Sequence, residues 1–225
     1  IISKMMVNNV VEVEEIYTEI EHQYGIAVSM TDVEAAFRNM EGNFVSKEDE
    51  LEKYKHMNIL KRDDAGMARR MQGFADIIKR TDFYTLVLDL IETSRAIYKG
   101  QYLNKKRDGQ FVLYEKYSRR DVCQLLNCER DISSVMYGMK RIEDDVCIFV
   151  TYNKQEDTSG KEYIDGKPDY ADEFINNQIF MWDSQIGRGP DSSYMKDVMG
   201  AKRKRLFIKK SDAEGTDFYY MGMFD

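Results

Sequence analysis

The chain has 225 residues, a formal charge of −7, 32% charged residues and 43% hydrophobic ones. That length provides one large core or two modest ones. The acidic balance excludes a protein that coats nucleic acid through overall positive charge, and no apolar run approaches the roughly 18–20 residues of a membrane span. The three cysteines, Cys123, Cys128 and Cys147, fit a reducing compartment better than a disulfide framework. The expected location is therefore cytoplasmic. Ile1-Ile2-Ser3-Lys4 carries neither an initiator methionine nor a signal pattern and reads as an internal stretch of a longer polypeptide.

Val13, Ile16, Tyr17, Ile20 and Tyr24 recur at helical spacing, and Gly25 offers a left-handed end, so a first helix is predicted from about Val10. Thr31-Asp32-Val33-Glu34 has the spacing of a capping box for a short second helix with Val33, Phe37 and Met40 inward. Further helices are predicted over residues 48–60, over 65–78 through Met67, Met71 and Phe74, and over 82–98 through Leu86, Val87, Leu90 and Ile91. Asp63-Asp64 reads as a helix start, Arg69-Arg70 as a solvated face and the methionines as core. A helix-turn-helix reading of residues 10–40 meets negative charge from Asp32, Glu34 and Glu41 where phosphates would lie. Bundle packing is the simpler expectation.

Past Tyr102 the pattern changes. Residues 104–110 form a polar joint. Residues 111–114, 147–152, 206–208 and 218–221 then read as strands, being short, β-branched or aromatic and bounded by Gly, Asp and Asn. One helix interrupts them, starting at Ser118 with Asp121 three residues on. Residues 187–190, Gly-Arg-Gly-Pro, predict a mobile loop. The expected architecture is α+β: a helical connector over residues 1–106 and a small mixed β-barrel with a packed helix over 107–225.

Chemistry is mostly excluded. His22 and His56 support neither a zinc-binding HExxH motif nor a Ser/His/Asp set. Cys123 and Cys128 have the wrong spacing for one zinc and read as core thiols. No phosphate-cradling Gly-rich loop is present. A PD…(D/E)xK nuclease falters because Asp165-Gly166-Lys167 precedes both Pro168-Asp169 and Pro190-Asp191. No enzyme activity, cofactor or metal is expected of this stretch.

Recognition remains. Trp182, the sole tryptophan, lies beside Ser184 and Gln185. Aromatic faces stack on bases, so Trp182, Tyr137 and Tyr152 are candidate base walls, with Ser184 and Gln185 as edge readers. Equally, Trp182 and Phe180 alternate as strand core. Lys202, Arg203, Lys204 and Arg205, with Arg188, form the candidate phosphate contacts.

Residues 111–127, FVLYEKYSRRDVCQLLN, together with Tyr137-Gly138, residues 148–152, 172–176, Trp182-Asp183-Ser184-Gln185, 206–208 and 218–222, resemble a C-terminal domain family of bacterial superfamily II (DEAD/DEAH-type) helicases. Many members also carry a phospholipase-D-like nuclease. The helical half is similar to the segment that joins helicase core and C-terminal domain. The resemblance implies a PUA/SRA-like barrel that binds DNA and recognises a modified base such as methylated cytosine, targeting a helicase or a type IV restriction enzyme. DNA and the upstream helicase and nuclease domains are the implied partners. Asn153 and Cys128 depart from the family pattern, where a His and a Trp are usual. The alternative expectation is a protein-interaction or oligomerisation module of a phage-defence helicase; a metal-dependent nuclease ranks below both.

Overall fold

The computed structural model describes residues 1–24, 29–45, 47–54, 58–151, 172–176, 178–182, 184 and 189–225. The chain divides into two units, Ile1–Lys105 with Cys123–Asp131, and Lys106–Val122 with Ile132–Asp225. Each mixes helix and sheet, so the chain is α+β. Among the described residues no helix is long and apolar enough to cross a membrane.

The first unit runs α1 (Ile2–Val7), β1 (Val10–Glu12), α2 (Val13–Tyr24), α3 (Met30–Met40), α4 (Glu48–Tyr54), β2 (Leu60–Arg62), β3 (Met67–Arg70), α5 (Gln72–Ile77) and α6 (Thr81–Ile97), which a π turn continues through Tyr98–Tyr102. The expectation of helices alone is corrected here, because β1, β3 and β2 form an antiparallel sheet in that order. The β2–β3 turn explains the error. Asp63 Oδ1 accepts from the amides of Ala65 (3.1 Å) and Met67 (3.0 Å), while Gly66 turns the chain at φ 79°. Asp63 thus starts a hairpin turn instead of a helix, and the Met67 amide above all holds its carboxyl below the usual range. Arg69 is exposed as expected. Arg70 instead donates to the carbonyls of Met5 (3.0 Å) and Met6 (2.9 Å), satisfying the open end of α1.

The capping box of α3 lies two residues before its expected place. Ser29 Oγ accepts from the Asp32 amide (3.2 Å) and Asp32 Oδ2 from the Ser29 amide (3.0 Å). Ser29 has the extended backbone a cap needs, whereas Thr31 is already helical. Val33 and Phe37 of α3 then meet Met5, Val11, Ile16, Leu60 and Ala68 in the core, each large side chain contributing about 1.5–3 kcal/mol. Glu41 follows α3, is 8% exposed, and accepts from Arg62 N (2.8 Å) and Nη2 (2.9 Å), tying the helix end to β2. By contrast, α6 buries no residue, and Leu86 and Leu90 are each 63% exposed. Residues 123–131 join this unit through Gln124 Nε2 to Asn39 Oδ1 (3.1 Å) and the Asp131 amide to the Phe44 carbonyl (2.8 Å).

The second unit contains β4 (Arg107–Asp108), β5 (Phe111–Val112), β6 (Lys116–Tyr117), the start of α7 (Arg119–Leu125), β7 (Met139–Ile142), β8 (Asp145–Thr151), β9 (Glu173–Phe174), β10 (Phe180–Met181), α8 (Ser193–Gly200), β11 (Arg203–Lys209) and β12 (Phe218–Phe224). Five strands make one curled sheet, ordered β6-β12-β11-β8-β7. β8 and β11 pair in parallel and the other neighbours antiparallel. The short strands β4, β6 and β9 were not expected from the sequence, and neither were β7 and α8. β7 returns to β8 through the two-residue turn Glu143-Asp144, with Glu143 at φ 50°, and α8 is capped by Ser192 Oγ accepting from the Met195 amide (3.2 Å). α7 starts as expected, with Ser118 and Asp121 exchanging bonds of 2.8 and 3.1 Å.

β8 is buried from Asp145 to Val150, which is why it reads as one apolar run. Its even residues Val146, Ile148 and Val150 pack with Met139, Ile208 and Val198 of α8. On the opposite face Phe149 stacks on Phe207 at 4.9 Å, and Phe111 and Tyr220 lie 4.9 Å apart beside them. A bulge between Leu206 and Phe207 adds curl to the β11–β12 pair.

Candidate functional site

Strand alternation splits the basic run. Arg205 points to the aromatic face, is 3% exposed and donates through Nε to Asp145 Oδ1 (2.7 Å) and through Nη1 to Tyr220 Oη (2.9 Å). Tyr220 Oη donates onward to Asp108 Oδ2. Arg203 forks on Asp145 through Nε (3.0 Å) and Nη2 (2.7 Å). Burial raises the Asp145 carboxyl, but the hydrogen bonds from Arg203 and Arg205 outweigh it and hold the group below its usual range. Burial, with the Asp108 hydrogen bond, pushes the Tyr220 phenol well above its ordinary value. These residues close a polar network across β4, β8, β11 and β12. Arg205 is thereby engaged within the fold, Arg203 shares Asp145 with it, and Lys202 pairs with Asp144 at 2.9 Å. Lys204 has no ion-pair partner among the described residues.

The candidate base walls are separated. Trp182 packs at the edge of the Val146–Ile148–Val150 face and stacks on Tyr194 of α8 with ring centroids 6.4 Å apart. Tyr137 lies on the other side: it is 64% exposed and sits 5.1 Å beneath the Arg119 guanidinium, which also covers Phe218 (4.9 Å) and Phe149 (5.5 Å). The sheet stands between them, so these two rings do not line one pocket. Burial lowers the Arg119 pKa, a cost offset in part by the ring faces around it. Ser184 is partly buried. Tyr152, Gln185 and Arg188, with Gly187 of the expected loop, lie outside the described residues.

The structure adds a cleft of about 280 Å³ that sequence reasoning missed. Its walls are the rings of Tyr114, Phe174 and Tyr219, exposed to 65%, 42% and 39%. Ile208 and Met221 form its floor, and Lys210 and Glu214 supply the charges. Tyr114 reaches it from φ 66°, a left-handed conformation that costs a bulky residue roughly 1–2 kcal/mol. Its amide donates to the Tyr220 carbonyl at 2.8 Å, which holds the turn. Glu214 closes the 3₁₀ turn Asp212–Glu214. That turn is pinned by Lys209 Nζ to the Gly215 carbonyl (3.0 Å) and Asp212 Oδ1 (2.7 Å). Glu214 Oε2 is buried with no hydrogen-bond partner among the described residues. Lys116 Nζ lies 4.7 Å over the Tyr219 ring. The alternation of Tyr219 with buried Phe218 and Tyr220 was the available sequence signal for one wall.

No group of three or more His, Cys, Asp or Glu able to hold a metal occurs among the described residues. A family model described as "Domain of unknown function (DUF3427)" matches residues 111–225, just over half of the 225 residues. The chain belongs to the DUF3427 family. The DUF3427 region takes in β5 to β12, and hence the cleft, Tyr137, Trp182 and all of the polar network except Asp108. A second model, "Domain of unknown function (DUF8090)", matches residues 1–101 ahead of the DUF3427 region. No curated protein matches the chain.

Proposed function

We propose that this chain is a non-catalytic C-terminal region of a DNA helicase or helicase-nuclease, in which the DUF3427 half is a PUA/SRA-like barrel that binds DNA and recognises a modified base such as methylated cytosine. The observation that carries the reading is the pairing of exposed rings with cations: Arg119 over Tyr137 and Lys116 over Tyr219. In a chain of net charge −7, such pairs concentrate what nucleic acid needs, a π-face for a base and a cation for its phosphate. Lys202 and Lys204 extend the cationic set, at the expense of the Lys202–Asp144 pair. Titration of plain and cytosine-methylated duplexes and single strands across a range of salt concentrations tests it. With Lys116, Arg119, Lys202 and Lys204 as phosphate contacts, the duplex log–log salt slope should be no steeper than about −4. Absence of salt-dependent binding to any of these strands would sink the proposal. Trp182→Ala separates the roles of that ring: DNA binding lost with circular dichroism retained marks a base contact, and unfolding marks a core residue.

The second reading, a self-association module, draws on α6. An exposed Leu86 and Leu90 one turn apart suit a second copy of the same helix. Sedimentation at rising concentration tests this, with Leu90→Lys expected to hold the chain monomeric.

A further inference from the structure

We infer that the cleft walled by Tyr114, Phe174 and Tyr219 takes one unstacked nucleobase that bears an amino group, with Glu214 as the reader of that group; the identity of the ligand as a base rests on the DNA-binding reading. Size sets the first limit. At about 280 Å³ the cleft falls just under the range of about 300–1,000 Å³ usual for ligand sites, so it suits a single small planar group. Three exposed rings around an apolar floor favour a flat, polarisable occupant. Such rings alone would also suit a quaternary ammonium. The balance of charge decides against that: Lys210 lines the cleft and Lys116 already covers the Tyr219 ring at 4.7 Å, against the single carboxylate of Glu214, so a permanently charged cation would meet a net positive lining.

Glu214 then specifies the edge. Its buried Oε2 has no partner among the described residues, and a buried acceptor left unsatisfied is unfavourable until a donor reaches it. The turn that holds it is fixed by Lys209, itself 7% exposed, so the backbone is pinned and only the carboxyl group has to turn for an oxygen to meet a donor in the cleft that Glu214 lines. A carboxylate accepts from the amino group of cytosine, adenine or guanine, whereas the thymine imide sits between two carbonyl oxygens that repel it. Lys210 is placed to meet the phosphate attached to such a base. Tyr114 completes the arrangement from its left-handed backbone, a conformation that glycine would adopt without strain.

The 225-residue chain is titrated with deoxycytidine, deoxyadenosine, deoxyguanosine and thymidine 5′-monophosphates, followed by NMR, and with a single strand carrying one 2-aminopurine, followed by its fluorescence. Binding of the amino-bearing nucleotides over thymidine is expected. Glu214→Gln should reduce that preference about tenfold, and Tyr114→Gly should weaken binding about tenfold while leaving the thermal midpoint unchanged or raised. DNA bound with its salt dependence while both variants behave as the parent, or thymidine bound as well as the others, would overturn the cleft assignment and leave the DNA-binding reading standing. Mononucleotides bound at the cleft while no DNA is bound would keep the assignment and sink that reading. No binding in either titration defeats both.

Discussion

Asp145→Ala removes the carboxylate on which Arg203 and Arg205 converge, and the structure sets the size of the effect. The side chains of Arg205 and Asp145 are 3% and 6% exposed, and removing one partner of a buried pair costs about 3–5 kcal/mol because the other charge is stranded. Two features move the expectation to the lower end. Arg205 keeps the Tyr220 hydroxyl at 2.9 Å and the Asp108 carboxylate at 3.7 Å, and Arg203, 43% exposed, can turn to water. The expected loss is therefore about 3 kcal/mol. With a urea slope of about 1–3 kcal/mol/M, the midpoint falls by about 1–3 M. Fluorescence of Trp182, the sole tryptophan, reads the transition because its indole packs on the same sheet. Lys202→Ala is the control: its pair with Asp144 is 72% and 44% exposed and contributes about 0–1 kcal/mol. An Asp145→Ala midpoint no lower than that of Lys202→Ala would refute the reasoning.

The same group sets an acid limit. The folded Asp145 carboxyl lies below its usual range, so its stabilisation is complete above the unfolded value of about 3.9 and is lost as pH falls through the lower folded value; urea midpoints measured down through that window should fall more steeply for the parent than for Asp145→Asn. Tyr220→Phe removes a donor to Asp108 and an acceptor for Arg205, and denaturant titration should show a loss of about 1–3 kcal/mol. Gly222 stands at φ 112°, and an added Cβ would lie 3.2 Å from Leu113 Cδ2. Gly222→Ala should accordingly cost about 1–3 kcal/mol by the same titration, with Leu113→Ala in the same chain relieving only the steric part.

The elements that announced themselves in the sequence are those with a long or chemically marked pattern. The run from Val146 to Val150 is apolar throughout because both faces of β8 are covered, and Ser118 with Asp121 marks the start of α7 through the bonds they exchange. β1 and β3 were missed because strands of three and four residues complete barely one alternation, while Met67, Met71 and Phe74 fall at helical spacing by coincidence. The turn at Asp63 to Gly66 was the better signal. For the site, Lys202 to Arg205 reads as one cluster along the chain, yet a strand sends neighbours to opposite faces, and Asp145, distant in sequence, claims two of the four cations. The cleft was illegible for a related reason. Tyr114 and Glu214 are brought together only by the return of β12 along β11, and a left-handed tyrosine leaves no periodic trace.

The make-up of the two units bears on how this polypeptide can be cut and recombined. Residues 106–122 belong with the second unit, the next nine with the first, and the chain then goes back to the second. A gene broken near codon 107 would leave a protein carrying Gln124 and Asp131 without the Asn39 and Phe44 groups they bond. Such a break yields two incomplete products instead of two modules. The first unit and the DUF3427 region are therefore expected to be inherited together, and to diverge by substitution more readily than by wholesale exchange of either.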